Sequence, residues 1–205
     1  MRTRLQAMAD RLLLLYVIDV GNKAGNVDGT FKLMKIPFMA ELASTRASVN
    51  TFNYSFYRWT YGPMSTEIYD DADTLHALGL CTEKNRPRVT PKGERLLRTA
   101  SELFTTKKSV LRFIDAASQD CAPLGFGALK EKVYKQIVMV DGNIKCTIAD
   151  APKGANVLSF IAKPSASFDL DDDWTDTLWS YFNYSDKELT NRSVIQQMAT
   201  LQTAL

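Results

Sequence analysis

The chain has 205 residues, of which 45% are hydrophobic and 23% charged, a balance suited to a globular protein with a full core rather than to a disordered or fibrous one. Its length accommodates one large domain or two small ones, and its formal net charge of +2 is too small to argue for a partner. Three cysteines, Cys81, Cys121 and Cys146, are an odd and widely spaced set that suggests neither a disulfide framework nor a close-paired zinc motif, and they read as buried thiols of a reducing cytosol.

From the N-terminus, Leu5, Met8, Leu12, Leu15, Tyr16 and Ile18 recur at spacings near three and four, which predicts an amphipathic helix over 4–20, ended within 21–29. The apolar run 12–18 is far shorter than the roughly 20 residues of a bilayer span. Asp19, Asn22 and Lys23 follow it where a signal peptide needs small residues, so the expectation is a cytoplasmic protein without a membrane anchor. A second helix is predicted over 31–42, with Pro37 imposing a bend or a late start.

Residues 52–61 hold six aromatics in ten positions and alternate, which predicts a short strand. Phe52, Tyr54 and Phe56 share one face, and Tyr57, Trp59 and Tyr61 the other, so one set forms core and the other is the candidate for stacking or docking. A third helix is expected from Pro63, capped by Ser65 or Thr66 and closed by Gly79. Met64, Ile68, Ala72, Leu75 and Leu78 form its apolar stripe, leaving Glu67, Asp70, Asp71 and Asp73 on the remaining surface.

A basic hairpin is predicted over 80–90, then helices over 91–104, 107–118 and 129–136. A second hairpin is predicted over 137–148 around Asp141-Gly142, whose residues suit a tight primed turn. A linker over 163–168 and helices over 172–182 and 186–201 complete the chain.

Charge is unevenly spread. Between 81 and 112 there are nine Lys or Arg against three Glu, whereas between 163 and 190 seven acids face two lysines. The hairpin and the helix after it offer Lys84, Arg86, Arg88, Lys92, Arg95 and Arg98 to a duplex, with a solvated basic face as the alternative. The acidic third helix has no Lys or Arg between Pro63 and Gly79 and would be repelled by phosphate.

For catalysis the inventory is thin. His76 is the only histidine and reads as structural, and 151–155 lacks the spaced glycines of a phosphate loop. Asp169, Asp171 and Asp173 imitate the start of a calcium loop, but Trp174 stands where its glycine is needed, so acidic capping of a helix presenting Trp174, Leu178, Trp179 and Phe182 fits better. The expectation is no metal, no cofactor and no enzymatic activity, with a carboxylate-dependent nuclease as the remote alternative.

Helix, helix, strand, helix, basic hairpin and a helix opening Thr-Pro-Lys-Gly is the order of a winged helix-turn-helix. Phe56-Tyr57-Arg58-Trp59-Thr60-Tyr61-Gly62-Pro63, continuing through Ile68-Tyr69 and 75–80, resembles the signature of the Panacea domain, the SocA-like antitoxin family. Phe31-Lys32-Leu33-Met34-Lys35 is similar to that family's second helix, although the family's glutamine is absent and Pro37 intrudes.

The order of elements predicts a mostly helical α+β protein with a winged-helix-like core at 1–104 and a helical and hairpin extension at 105–205, and the resemblance covers roughly Ala7 to Phe104. The resemblance implies an antitoxin or adaptor that neutralises or recruits a protein partner such as a toxin. Arg58, Trp59, Tyr61 and Tyr69 would then form the recognition surface or its supporting shell, with Glu67, Asp70, Asp71 and Asp73 presenting acid to a basic partner. A winged-helix DNA-binding regulator is the alternative.

Overall fold

The computed structural model describes residues 2–83, 85–158 and 164–182. Its first helix, α1 (Arg4–Ala24), opens with a capping box in which Thr3 Oγ1 accepts from the Gln6 amide while Gln6 Oε1 accepts from the Thr3 amide. Leu12, Leu13, Leu14 and Leu15 are all fully buried. A helix apolar on every side is one surrounded by partners. The helix ends at Ala24, within the expected 21–29, and at Gly21 a Cβ would meet Val27 Cγ2 at 2.6 Å, so glycine there lets the next segment approach.

The second helix, α2 (Gly29–Arg46), starts eight residues before Pro37, so the late start does not occur. Pro37 lies inside it and offers no amide to Leu33, yet Leu33, Ile36 and Phe38 are buried around it.

The segment predicted as one strand over 52–61 is a strand only at β2 (Tyr57–Trp59), following a two-residue β1 (Val49–Asn50). Carboxylates replace the missing ladder: Glu41 Oε2 accepts from the Thr51 and Phe52 amides, Asp10 Oδ1 from Asn53, and Glu67 Oε2 from Ser55. The predicted alternation nevertheless holds, with Phe52, Tyr54 and Phe56 buried.

Pro63 is not at a helix entrance. It sits in β3 (Gly62–Met64), antiparallel to β2 and opposite Arg58. The Arg58 amide donates to Ala155 O at 2.8 Å and its carbonyl accepts from Gly154 N at 2.7 Å, so Arg58 asks nothing of its proline neighbour. Helix α3 (Thr66–Ala77) begins after Ser65, which occupies the N-cap position without capping through its side chain. Gly79 closes it at φ +67.

A short hairpin joined at Cys81 and Val89 follows, and β2 pairs with β3 and with the segment around Asn156 rather than with this hairpin. The predicted helix over 91–104 is interrupted at Ala100 into α4 (Pro91–Thr99) and α5 (Ser101–Thr106), the former capped by Thr90.

Helix α6 (Lys108–Cys121) packs on both α1 and α2, which draws the extension into the same hydrophobic cluster as the N-terminal part. Helix α7 (Phe126–Tyr134) starts three residues before its predicted onset. The hairpin of β4 (Ile137–Val140) and β5 (Ile144–Thr147) turns at Asp141 and Gly142 with φ of 48° and 82°, the left-handed pair that a primed turn needs.

Ala166–Ser167 forms β6, parallel to β1, inside the stretch predicted as linker. The last described helix, α8 (Asp172–Phe182), has the predicted bounds. Asp171 Oδ1 accepts from the Trp174 amide as its cap, Leu178 and Phe182 are buried, and the helix lies against α1 with Arg4 3.6 Å over the Trp179 ring. The helix predicted over 186–201 lies outside the described residues.

The protein is therefore mostly helical α+β, with eight helices and small two-stranded sheets among the described residues. None of those helices is long and apolar enough to cross a membrane.

Candidate functional site

The β2–β3 hairpin turns through Thr60 and Tyr61, and Gly62 follows at φ +93, a conformation that disfavours any side chain. A Cβ at Gly62 would also press against Tyr134 Cε2 at 3.3 Å. From beneath, three groups hold this turn. Tyr134 Oη donates to Thr60 O at 2.9 Å, Lys35 Nζ donates to Pro63 O, and the buried Arg58 donates to Ile148 O at 2.7 Å and to Trp59 O. The Arg58 guanidinium also lies 4.9 Å from the Tyr134 ring.

On the outside of the turn stand Trp59, Tyr61 and Phe126, 49%, 58% and 54% exposed. Tyr61 meets Phe126 edge-on with centroids 6.3 Å apart, Phe126 in turn packs on Phe31 at 4.5 Å, and Trp59 leans on Tyr57 at 6.2 Å. Large rings half in water on a pinned backbone are the type of group that anchors protein interfaces, because little conformational freedom is lost when they are covered.

The structure sorts the predicted partner-binding residues. Trp59 and Tyr61 are on this ridge, Arg58 is inside as its support, and Tyr69 is half-buried against the core. Asp70 and Asp73 are exposed on α3.

Asp71 is not on a docking face: it is buried, with Oδ2 2.7 Å from Arg2 and 3.0 Å from the Tyr54 hydroxyl, and Oδ1 3.0 Å from Arg11. Glu67 is likewise engaged, pairing with Arg2 at 3.3 Å and accepting from the Ser55 amide at 2.8 Å.

Among the buried ionisable groups that the sequence pattern does not mark, three have shifted titrations set by burial. Asp10 accepts from Arg2 at 2.9 Å and from the Asn53 amide at 2.9 Å, yet burial pushes its carboxyl up to about 7. Burial pushes Glu41 up to about 8 against the two amide bonds that favour its charge. Burial, and then the Arg58 charge, bring Lys35 down to about 7. All three lie on helices within apolar surroundings, and a charge flanked by buried neighbours is the one signal that could have marked them.

Of the predicted phosphate-contacting residues, Arg86, Arg95 and Arg98 are exposed and their side chains make no hydrogen bond or ion pair to another described residue. Arg88 is exposed but donates to Asn22 Oδ1 and faces Asp28 at 3.6 Å, and Lys92 donates to Leu78 O at 2.8 Å. Lys84 lies outside the described residues.

His76 is exposed, with Nδ1 3.4 Å from Cys81 O. Cys81 and Cys121 are buried, their thiols pushed up by burial to about 12 and about 11, whereas Cys146 is only half-buried, contrary to expectation. Asp169 accepts from Ser167 and Asp171 caps α8, and among the described residues no three His, Cys, Asp or Glu side chains are grouped to hold a metal.

Compared with known proteins, the chain matches no family model, no curated protein and no solved structure.

Proposed function

We propose that this chain is a non-catalytic protein-binding module, an antitoxin or adaptor that neutralises or recruits a partner protein. The reading follows the likeness of residues 56–63 to the Panacea signature and takes residues 1–104 as a winged-helix-like core. One observation carries it: the Trp-Thr-Tyr-Gly-Pro turn holds Trp59 and Tyr61 in solvent on a backbone fixed by Lys35, Arg58 and Tyr134.

A hairpin with no role outside the fold gains little from two large rings at its exposed tip. Covering them with a partner recovers about 25 cal/mol for each Å² removed from water.

The test is quantitative capture of the partner from the native host by wild-type and Trp59→Ala/Tyr61→Ala proteins. The double variant is expected to keep its unfolding temperature and lose the partner. Equal recovery by both proteins would remove the ridge from the account.

The second reading, duplex binding through the basic hairpin and α4, is favoured by the exposed, internally unengaged side chains of Arg86, Arg95 and Arg98. Opposing it, Asp70 and Asp73 present negative charge from α3. Arg86→Glu/Arg95→Glu separates the two readings: it abolishes salt-sensitive DNA binding under the second and leaves the protein complex intact under the first.

A further inference from the structure

The sign of the charge around the aromatic ridge differs from that of the acidic helix, and the ridge decides what it attracts. Lys130 Nζ is 5.4 Å from the Tyr134 ring, whose hydroxyl is bonded to Thr60 between the two exposed rings. On the other flank, Gly154 N donates to Arg58 O, which sets the backbone of the exposed Lys153 next to the Arg58–Trp59 peptide.

Of the carboxylates around these lysines, Glu131 pairs with Lys135 at 2.6 Å and Asp120 with Lys132 at 3.1 Å, while Asp150 accepts from the neutral Thr147 hydroxyl and keeps its charge. Lys130 and Lys153 make no ion pair to a described residue, and they stand on either side of Trp59, Tyr61 and Phe126.

We infer that the ridge takes an acidic segment of a partner protein carrying apolar side chains, with Lys130 and Lys153 as the charge-selecting rim. This rests on the protein-binding reading above and reverses the sign of the partner first expected from α3. Rim charges of this kind set which partner is accepted and how fast it arrives, while the aromatics supply the affinity.

Single-stranded nucleic acid also combines negative charge with flat apolar faces. It needs rings presented as successive parallel platforms, whereas Tyr61 and Phe126 meet at 71° and Tyr57 and Trp59 at 81°. Crossed rings form notches, which suit side chains better than stacked bases.

The experiment is selection of a displayed library of random short peptides on the full chain, on Trp59→Ala/Tyr61→Ala and on Lys130→Glu/Lys153→Glu. In parallel, the wild-type protein is titrated with oligothymidylate while tryptophan fluorescence is followed. The expected result is enrichment of peptides rich in Asp and Glu with aromatic or branched apolar residues, lost on the aromatic variant. On the lysine variant the preference turns toward basic peptides, and each acidic winner binds at least about tenfold more weakly.

Enrichment of neutral or basic peptides on the wild type, still dependent on Trp59 and Tyr61, overturns the acidic partner and leaves a protein-docking ridge. Absence of enrichment, or enrichment indifferent to the aromatic substitutions, overturns both. Oligothymidylate that quenches Trp59 and outcompetes every selected peptide overturns the protein class.

Discussion

Asp10 and Asp71 share Arg2, and Arg11 and the Tyr54 hydroxyl complete the group, so α1, α3 and the extended stretch over 51–56 are tied through one buried set of charges. Removing one member leaves the others without compensation in a poorly solvated place. Asp71→Ala is therefore expected to cost about 3–5 kcal/mol, measured by urea unfolding at neutral pH. A loss below about 1 kcal/mol would mean that the group is solvated and carries no structural charge.

Glu41 gives a different signature. Its folded carboxyl titrates near 8 against an ordinary value of 4.5, so the folded state holds the proton more tightly and stability from this group falls as pH rises from 4.5 to 8. Glu41→Gln keeps an oxygen for the Thr51 and Phe52 amides and removes the titration. Its stability is expected to be flatter than that of the wild type across that window. Identical slopes in paired denaturation series would contradict the assignment. Lys35 acts in the opposite sense, since its lowered value removes stability as pH falls from 10.5 toward 7.

Among the elements, the junction of the basic hairpin with α4 has the tightest tolerance. A Cβ at Gly93 would lie 2.2 Å from Leu80 O and 2.7 Å from Val89 Cγ1, and the carbonyl belongs to backbone that cannot step aside without opening the hairpin. Gly93→Ala is expected to destabilise by more than about 2 kcal/mol, with amide exchange at 80–90 accelerating first. A thermal midpoint equal to that of the wild type would refute the contact.

At this scale α8 and the β4–β5 hairpin were legible because their signals are local: acids at a helix start, an apolar stripe, and Asp-Gly at a turn. The strand over 52–61 was overextended because its alternation is real while its hydrogen bonds run to Glu41, Asp10 and Glu67, residues up to 43 positions away. Pro63 misled for a related reason. Its position opposite Arg58 is permissible only because the Arg58 backbone turns to Gly154 and Ala155, a pairing no local pattern encodes. The same distance effect hid Asp71: on α3 alone it looks like one acid among four, and only the arrival of Arg2 and Arg11 makes it core.

Over the whole molecule, one buried cluster joins α1, α2 and α6, with α8 laid on α1, and the surface divides by charge. Acids face out from α3 at Asp70 and Asp73, arginines from the hairpin and α4, and an aromatic ridge with a lysine rim from β2, β3 and α7. The two-residue period puts Trp59 and Tyr61 on one face without saying which face is exposed, and it says nothing of Phe126, whose place beside Tyr61 depends on the packing of α7 under the turn.

The central claim is that this ridge binds a protein through aromatic anchors. The most direct measurement is the dissociation constant of the captured partner for wild-type and Trp59→Ala/Tyr61→Ala proteins by calorimetry, with thermal unfolding of both run alongside. The account predicts binding weakened by roughly 1,000-fold, from two anchors worth about 2 kcal/mol each, at an unchanged unfolding temperature. An unchanged dissociation constant for the doubly substituted protein would contradict it.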